Sequence, residues 1–230
     1  MATQIPVTTV LMNFSGIYPL EGFHPEGVET LDFTSLEGTS CYCDDAAALA
    51  IRDAMKAFGY RGIHWLDSGD YHYASLFWLE KVDVPFALVL LDNHPDDQAP
   101  AFGGEALSCG SWVLRARRLP MLARGGFRHV AGPEDAEVAD WASFCPGLPV
   151  YLSIDKDLLC ADDARTDWDQ GTMTLDHLKC VIDRITSSHS IIGTDVCGEL
   201  PVEKGAVDID LIINRRTNDI LQDYLLNLGI

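Results

Sequence analysis

Phe86-Ala-Leu-Val-Leu-Leu91 is an unbroken apolar run that passes directly into Asp92-Asn-His-Pro-Asp96. A strand with one face in water alternates apolar and polar residues. A strand with no polar position has both faces covered, which is the habit of parallel sheets flanked by helices. Similar runs recur along the chain. Strands are expected at Val7–Phe14, Gly62–Leu66, Pro85–Asp92, Phe127–Ala131, Pro149–Asp155 and Ser190–Asp195. Helical spacing falls between them, at Ala46–Phe58, Ala74–Lys81, Trp112–Arg118, Asp135–Ala142, Leu175–Ile185 and Val207–Leu228. Asp44 or Asp45 is the expected cap of the first of these helices, and Thr174 caps the helix from Leu175. The alternation predicts one α/β domain over residues 1–230, a three-layer α/β/α sandwich around a mostly parallel sheet.

Composition narrows the partners. Sixteen basic against thirty-five acidic residues leave a formal charge of -19. Such a field repels phosphate backbones and argues against nucleic acid. It suits metal ions and a small, positively charged substrate. The apolar run Val84–Leu91 is far too short to span a bilayer, and Met1–Val7 lacks the basic and apolar segments of a secretion signal. A cytoplasmic chain without membrane contact is expected; a homo-oligomer is left open. The seven cysteines are odd in number and lack a framework spacing, as suits reduced thiols. Cys41-Tyr-Cys43 has no second pair to complete a zinc knuckle.

In open α/β sheets, ligands bind beyond the carboxyl ends of the strands. There the chain places Asp92, His94 and Asp96 after one strand, and Asp155 and Asp157 after another. Residues two apart in extended chain share a face, so each set can converge, with Pro95 keeping His94 out of helical geometry. Four crowded carboxylates repel one another and require a counter-charge, which two divalent cations supply. Oxygen and imidazole donors without thiolate favour manganese.

Asp92-x-His94-x-Asp96 with Ser153-x-Asp155-x-Asp157 resembles the paired metal motifs of the arginase, agmatinase and formiminoglutamase superfamily. Three shorter segments follow the same order. Ser68-Gly-Asp-Tyr-His72 is similar to the family's Gly-Gly-Asp-His segment, Gly171-Thr-Met-Thr174 to its Gly-Thr-rich loop, and Gly193-Thr-Asp195 with Glu199 and Pro201 to its Asp-x-x-Glu-x-x-Pro segment.

The resemblance implies an arginase-like sandwich holding two manganese ions. Asp92 and Asp155 would bridge both, His72 and Asp96 would complete one site, and His94 and Asp157 the other. A hydroxide bridging the metals would attack a guanidino, formimino or amide carbon. Glu199 would hold the cationic nitrogen, and Gln98 and Thr172 would contact the substrate. Counting without a gap to the arginase proton-shuttle histidine reaches Cys109, which is either a shuttle or a packing thiol. Tyr71 intervenes before His72 and is the alternative occupant of that ligand place.

His64, mid-strand beside Trp65, reads as a core histidine, and Tyr71, Tyr73, Phe77 and Trp78 as helix–sheet packing. The Asp162–Asp167 loop is a solvated segment that could border the pocket. The leading function is a metal-dependent hydrolase of a linear C–N bond. A single-zinc deacetylase-like amidohydrolase does not need the doubled ligand set. A non-catalytic or regulatory metal-binding protein is the third reading.

Overall fold

The computed structural model describes residues 8–100 and 106–230, so the Met1–Val7 segment and the first residue of the expected opening strand lie outside it. The described chain runs β1 (Thr9–Asn13), α1 (Ile17–Glu21), β2 (Glu29–Asp32), β3 (Tyr42–Cys43), α2 (Asp45–Ala54), β4 (Ile63–Trp65), α3 (Ala74–Leu79) and β5 (Phe86–Leu91). It continues with β6 (Leu107–Ser108), α4 (Trp112–Ala116), β7 (Leu122–Val130), α5 (Pro133–Val138), β8 (Val150–Asp155), α6 (Leu175–Thr186), β9 (Ile191–Cys197) and α7 (Asp208–Asn227). Seven strands form one sheet in the order β2-β1-β4-β9-β8-β5-β7, and every neighbouring pair in it is parallel. β3 and β6 form a separate antiparallel pair.

β5 explains the layering. Phe86, Leu88 and Leu90 enter one apolar cluster with residues of α2, α3 and α4. Ala87, Val89 and Leu91 enter a second with α1, α5, α6 and α7. A strand whose alternate residues feed two cores has no solvent face, which is why its sequence carries no polar position. The helices start where their caps dictate. The Asp44 side chain accepts the Ala47 N–H and Thr174 that of His177, so Asp44 is the cap of α2.

The differences from the expected elements have local causes. Pro133 fixes the first turn of α5, which starts earlier than expected and ends at Val138. β7 runs through Gly125 and Gly126, and the β5–β7 register shifts between Phe86 and Leu88. β2, Glu-Thr-Leu-Asp, is an exposed edge strand with no apolar pattern to announce it. No described helix is long and apolar enough to cross a membrane.

The topology fixes where a ligand can sit. β5 and β8 are neighbours, but the chain leaves β5 for β7 on one side and β8 for β9 on the other. A crevice opens where successive connections diverge, at the carboxyl ends of those strands. Leu88 is fully buried three residues before the last rung of β5. Leu88→Ala should cost about 2–5 kcal/mol, read as a lower denaturant midpoint at unchanged slope.

Candidate metal centre

Ser153 pairs with Asp195 and Asp155 with Cys197 across β8 and β9, on two successive same-face rungs. Tyr151, in step with them, packs in the α2-α3-α4 core, so all four side chains point toward that layer. Asp92 follows Leu90 by two residues and takes the same face at the end of β5. The alternation of the strands therefore delivers the polar side chains to one side of one crevice.

His72 arrives from the helix layer. Ser68 Oγ accepts the Asp70 N–H at 3.1 Å and opens a 3-10 turn over Gly69–Tyr71. That turn absorbs the extra residue. Tyr71 stacks on Phe14 with ring centroids 4.3 Å apart, and His72, buried, faces the centre. His72 Nδ1 lies 3.0 Å from Asp96 Oδ2, 3.2 Å from Asp92 Oδ2 and 3.4 Å from Asp155 Oδ2. Its Nε2 lies 2.9 Å from Ser153 Oγ, which donates to Asp195 Oδ1 at 2.6 Å.

The hydrogen count decides the tautomer. Ser153 has one hydroxyl hydrogen and gives it to Asp195, so it accepts from Nε2–H. Nδ1 then faces three carboxylates with at most one proton to share, and Asp92 Oδ2 makes no hydrogen bond despite its nearness to the ring. Burial opposes a charge on His72, but Cys197, Asp155, Asp92 and Asp96 outweigh it and hold the imidazole well above its ordinary pKa. Burial, then Asp96, pushes Asp92 well up, and burial with Asp155 pushes Asp157 up to about 6. The cluster is short of positive charge.

His94 supplies the second half. Its Nδ1 is 2.7 Å from Asp157 Oδ2 and 3.7 Å from Asp92 Oδ1. Turns, not continued extension of the strands, produce this convergence. His94 N donates to Asp92 Oδ1 at 2.6 Å and Asp157 N to Asp155 Oδ1 at 2.9 Å, and Asp96 sits at φ 47. His72, Asp92 and Asp96 make one ligand group, and Asp92, His94 and Asp157 a second that shares Asp92. A third group joins His72, Asp155 and Cys197, and within each group the candidate donor atoms lie within 4.8 Å of one another. Clustered carboxylates and imidazoles without enough protons fit divalent cations.

A cavity of about 290 Å³ opens over the cluster, bordered by Cys41, Tyr42, Gln98, Cys109 and Trp168. Gln98 and Cys109 thus reach the cavity, and burial pushes the Cys109 thiol up. Thr172 is exposed and outside the lining. Glu199 is fully buried elsewhere, with Oε1 2.5 Å from Lys156 Nζ. Gly198, at φ 96, breaks the alternation that would have aimed Glu199 with Asp195 and Cys197. His64 stacks on Trp78 at 3.6 Å between centroids, in the core.

Two residues escaped the sequence reading. Trp168 edges against His94 at 6.0 Å between centroids and donates to Asp70 Oδ1 at 3.2 Å. It follows the acidic loop and has no motif to mark it. Cys197 could have been found, since it lies two positions beyond Asp195 in a strand.

No protein-family model matches the sequence. An uncharacterized protein of Thermotoga maritima is 29% identical over 204 residues, 85% of this chain and 81% of that one. Solved structures agree along nearly the whole chain. A hypothetical agmatinase from Burkholderia thailandensis superposes at TM-score 0.62 and 15% identity, covering 100% of this chain and 89% of that one. Proclavaminate amidino hydrolase from Streptomyces clavuligerus gives 0.64 at 14%, covering 95% and 92%. Formimidoylglutamase from Bacillus subtilis gives 0.64 at 11%, covering 97% and 88%. The chain has the ureohydrolase fold. At these identities the likeness establishes the arginase-like architecture alone.

Three outcomes are expected. An ion present at about 100 times its Kd stabilises the folded chain by about 2.7 kcal/mol, roughly 5–10 °C in melting temperature for a chain of this size. Chelator at neutral pH should remove that increment. The folded pKa of Asp157 is raised, so its charge penalises the metal-free fold fully above about pH 6, and the penalty fades as pH falls toward the unfolded value near 3.9. The chelator effect on melting temperature should narrow over that window. Ser153→Ala removes the acceptor that orients His72 and should weaken metal binding about 10–100-fold in a competition titration. Unchanged affinity would exclude this tautomer control.

Proposed function

We propose that the chain is a hydrolase of a linear carbon–nitrogen bond that uses two divalent cations, with residues 1–230 acting as one domain. The observation that carries this is His72 Nδ1 ringed by three carboxylate oxygens while Nε2 is committed to Ser153. His72 and Asp96 would hold one ion and His94 and Asp157 the other, and Asp92 and Asp155 would serve both. Manganese suits the oxygen and imidazole donors. When bound, such a pair acidifies water and polarises a planar carbon bearing nitrogen.

The chain's own groups supply the rest. The buried rungs fix the carboxylates before substrate arrives, so no reorganisation is needed at the reacting atom. Gln98 borders the cavity as a polar contact for a small guanidino, formimino or amide compound, and Trp168 offers an aromatic edge beside His94. Cys109 borders the same cavity, and the burial that raises its thiol disfavours the proton release a shuttle needs, which favours its packing reading. The overall charge of -19 favours a cationic substrate. Seven free cysteines suit a reducing compartment such as the cytoplasm.

One observation favours a second reading, a metal-binding member without turnover. The carboxylate expected to grip the substrate's nitrogen, Glu199, is locked against Lys156. Metal analysis after manganese loading and desalting should approach two equivalents per chain. Asp155→Ala should lose most of both. One equivalent in the wild type would end the two-metal reading. Release of urea from guanidino, formamide or ammonia from formimino, and amine or ammonia from linear amide compounds separates the enzyme from the inert binder.

A further inference from the structure

Cys197 closes β9 on the rung of Asp155, and the two side chains touch, with Sγ 3.0 Å from Asp155 Oδ2. The thiol is fully buried. Its sulfur, an Asp155 oxygen and a ring nitrogen of His72 lie within 4.8 Å of one another, the span of three donors around one ion. We propose that Cys197 is a direct ligand of the ion on the His72 side, giving the centre one sulfur-containing shell and one shell of oxygen and imidazole. The proposal rests on the two-metal reading above and deepens it.

Three features carry it. The sheet register puts the sulfur against a buried carboxylate at the border of the apolar cluster it joins, a polar contact that a merely packing thiol does not need. Gly198 makes the approach possible. A Cβ there would meet Asp155 Oδ1 at 2.4 Å and Lys156 N at 2.8 Å, so only glycine lets the end of β9 close on Asp155. His72 belongs to both the Asp92–Asp96 group and the Cys197 group, so the sulfur-bearing group meets the rest of the cluster at this ring. On coordination the thiol gives its proton to solvent and the sulfur donates a lone pair to the ion.

The two positions then differ in taste. Thiolate draws zinc, cobalt or ferrous iron to the His72 side, whereas the His94 side, with oxygen and imidazole only, suits manganese. The inference is that the centre prefers unlike metals.

The test uses the full chain, stripped of metal and reloaded. With cobalt alone, the wild type should show a sulfur-to-cobalt charge-transfer band in the near ultraviolet. Cys197→Ser and Cys197→Ala should lose it, whereas Cys41→Ala and Cys109→Ala, which border the cavity, should keep it. With zinc alone, X-ray absorption of the wild type should show a sulfur scatterer at about 2.3 Å. This second measurement needs no variant and decides the matter if the Cys197 proteins fail to fold. Bound metal with only nitrogen and oxygen scatterers overturns the proposal and leaves the two-metal centre standing. Failure to bind either metal overturns both.

Discussion

The His72 ring stands between a hydroxyl that takes its Nε2 hydrogen and three carboxylates gathered around its Nδ1. Because Ser153 passes its own hydrogen to Asp195, the direction of donation along this chain is set from beneath. Burial and the ring's contact with Trp112, 5.1 Å between centroids, leave the imidazole little room. A metal-ligating histidine depends on such a partner on its far nitrogen. Here that partner belongs to the sheet, so the centre inherits the rigidity of its most buried strands.

The same two strands carry a second buried charge cluster on the opposite side. Lys156 lies between Asp155 and Asp157 in sequence, so its side chain leaves the sheet away from them and meets Glu199 and Asn218. Asn218, on α7, also bonds Glu21 beyond the end of α1's first turn. Burial, and then Glu199, pushes Glu21 up to about 10, which keeps it neutral beside the ion pair. A buried pair of this kind adds little net stability, but losing one partner strands the other charge. Its effect is positional: it ties the ends of β8 and β9 to α1 and α7, directly behind the carboxylates.

The site was legible in unequal parts. Asp92, His94, Asp96, Asp155 and Asp157 follow buried strands, and such strands announce themselves because two covered faces exclude polar residues. Glu199 was misplaced because one left-handed glycine, Gly198, reverses the side on which the next residue emerges. Thr172 was misplaced because its loop takes no register from the sheet. Trp168 is brought to the cavity by its bond to Asp70, a contact between segments far apart in sequence.

By itself, the sequence determined the layers, the parallel sheet and the strand ends that carry the acids, because hydrophobic periodicity and strand alternation are local properties of the chain. Only the tertiary structure decided which rungs lie side by side. It chose His72 over Tyr71, set the hydrogen-bond direction from His72 through Ser153 to Asp195, and brought the Cys197 sulfur against Asp155. Those outcomes depend on register between strands distant in the chain and on turns of one or two residues. Neither leaves a periodic trace, because each is fixed by packing against neighbours that the local sequence does not contain.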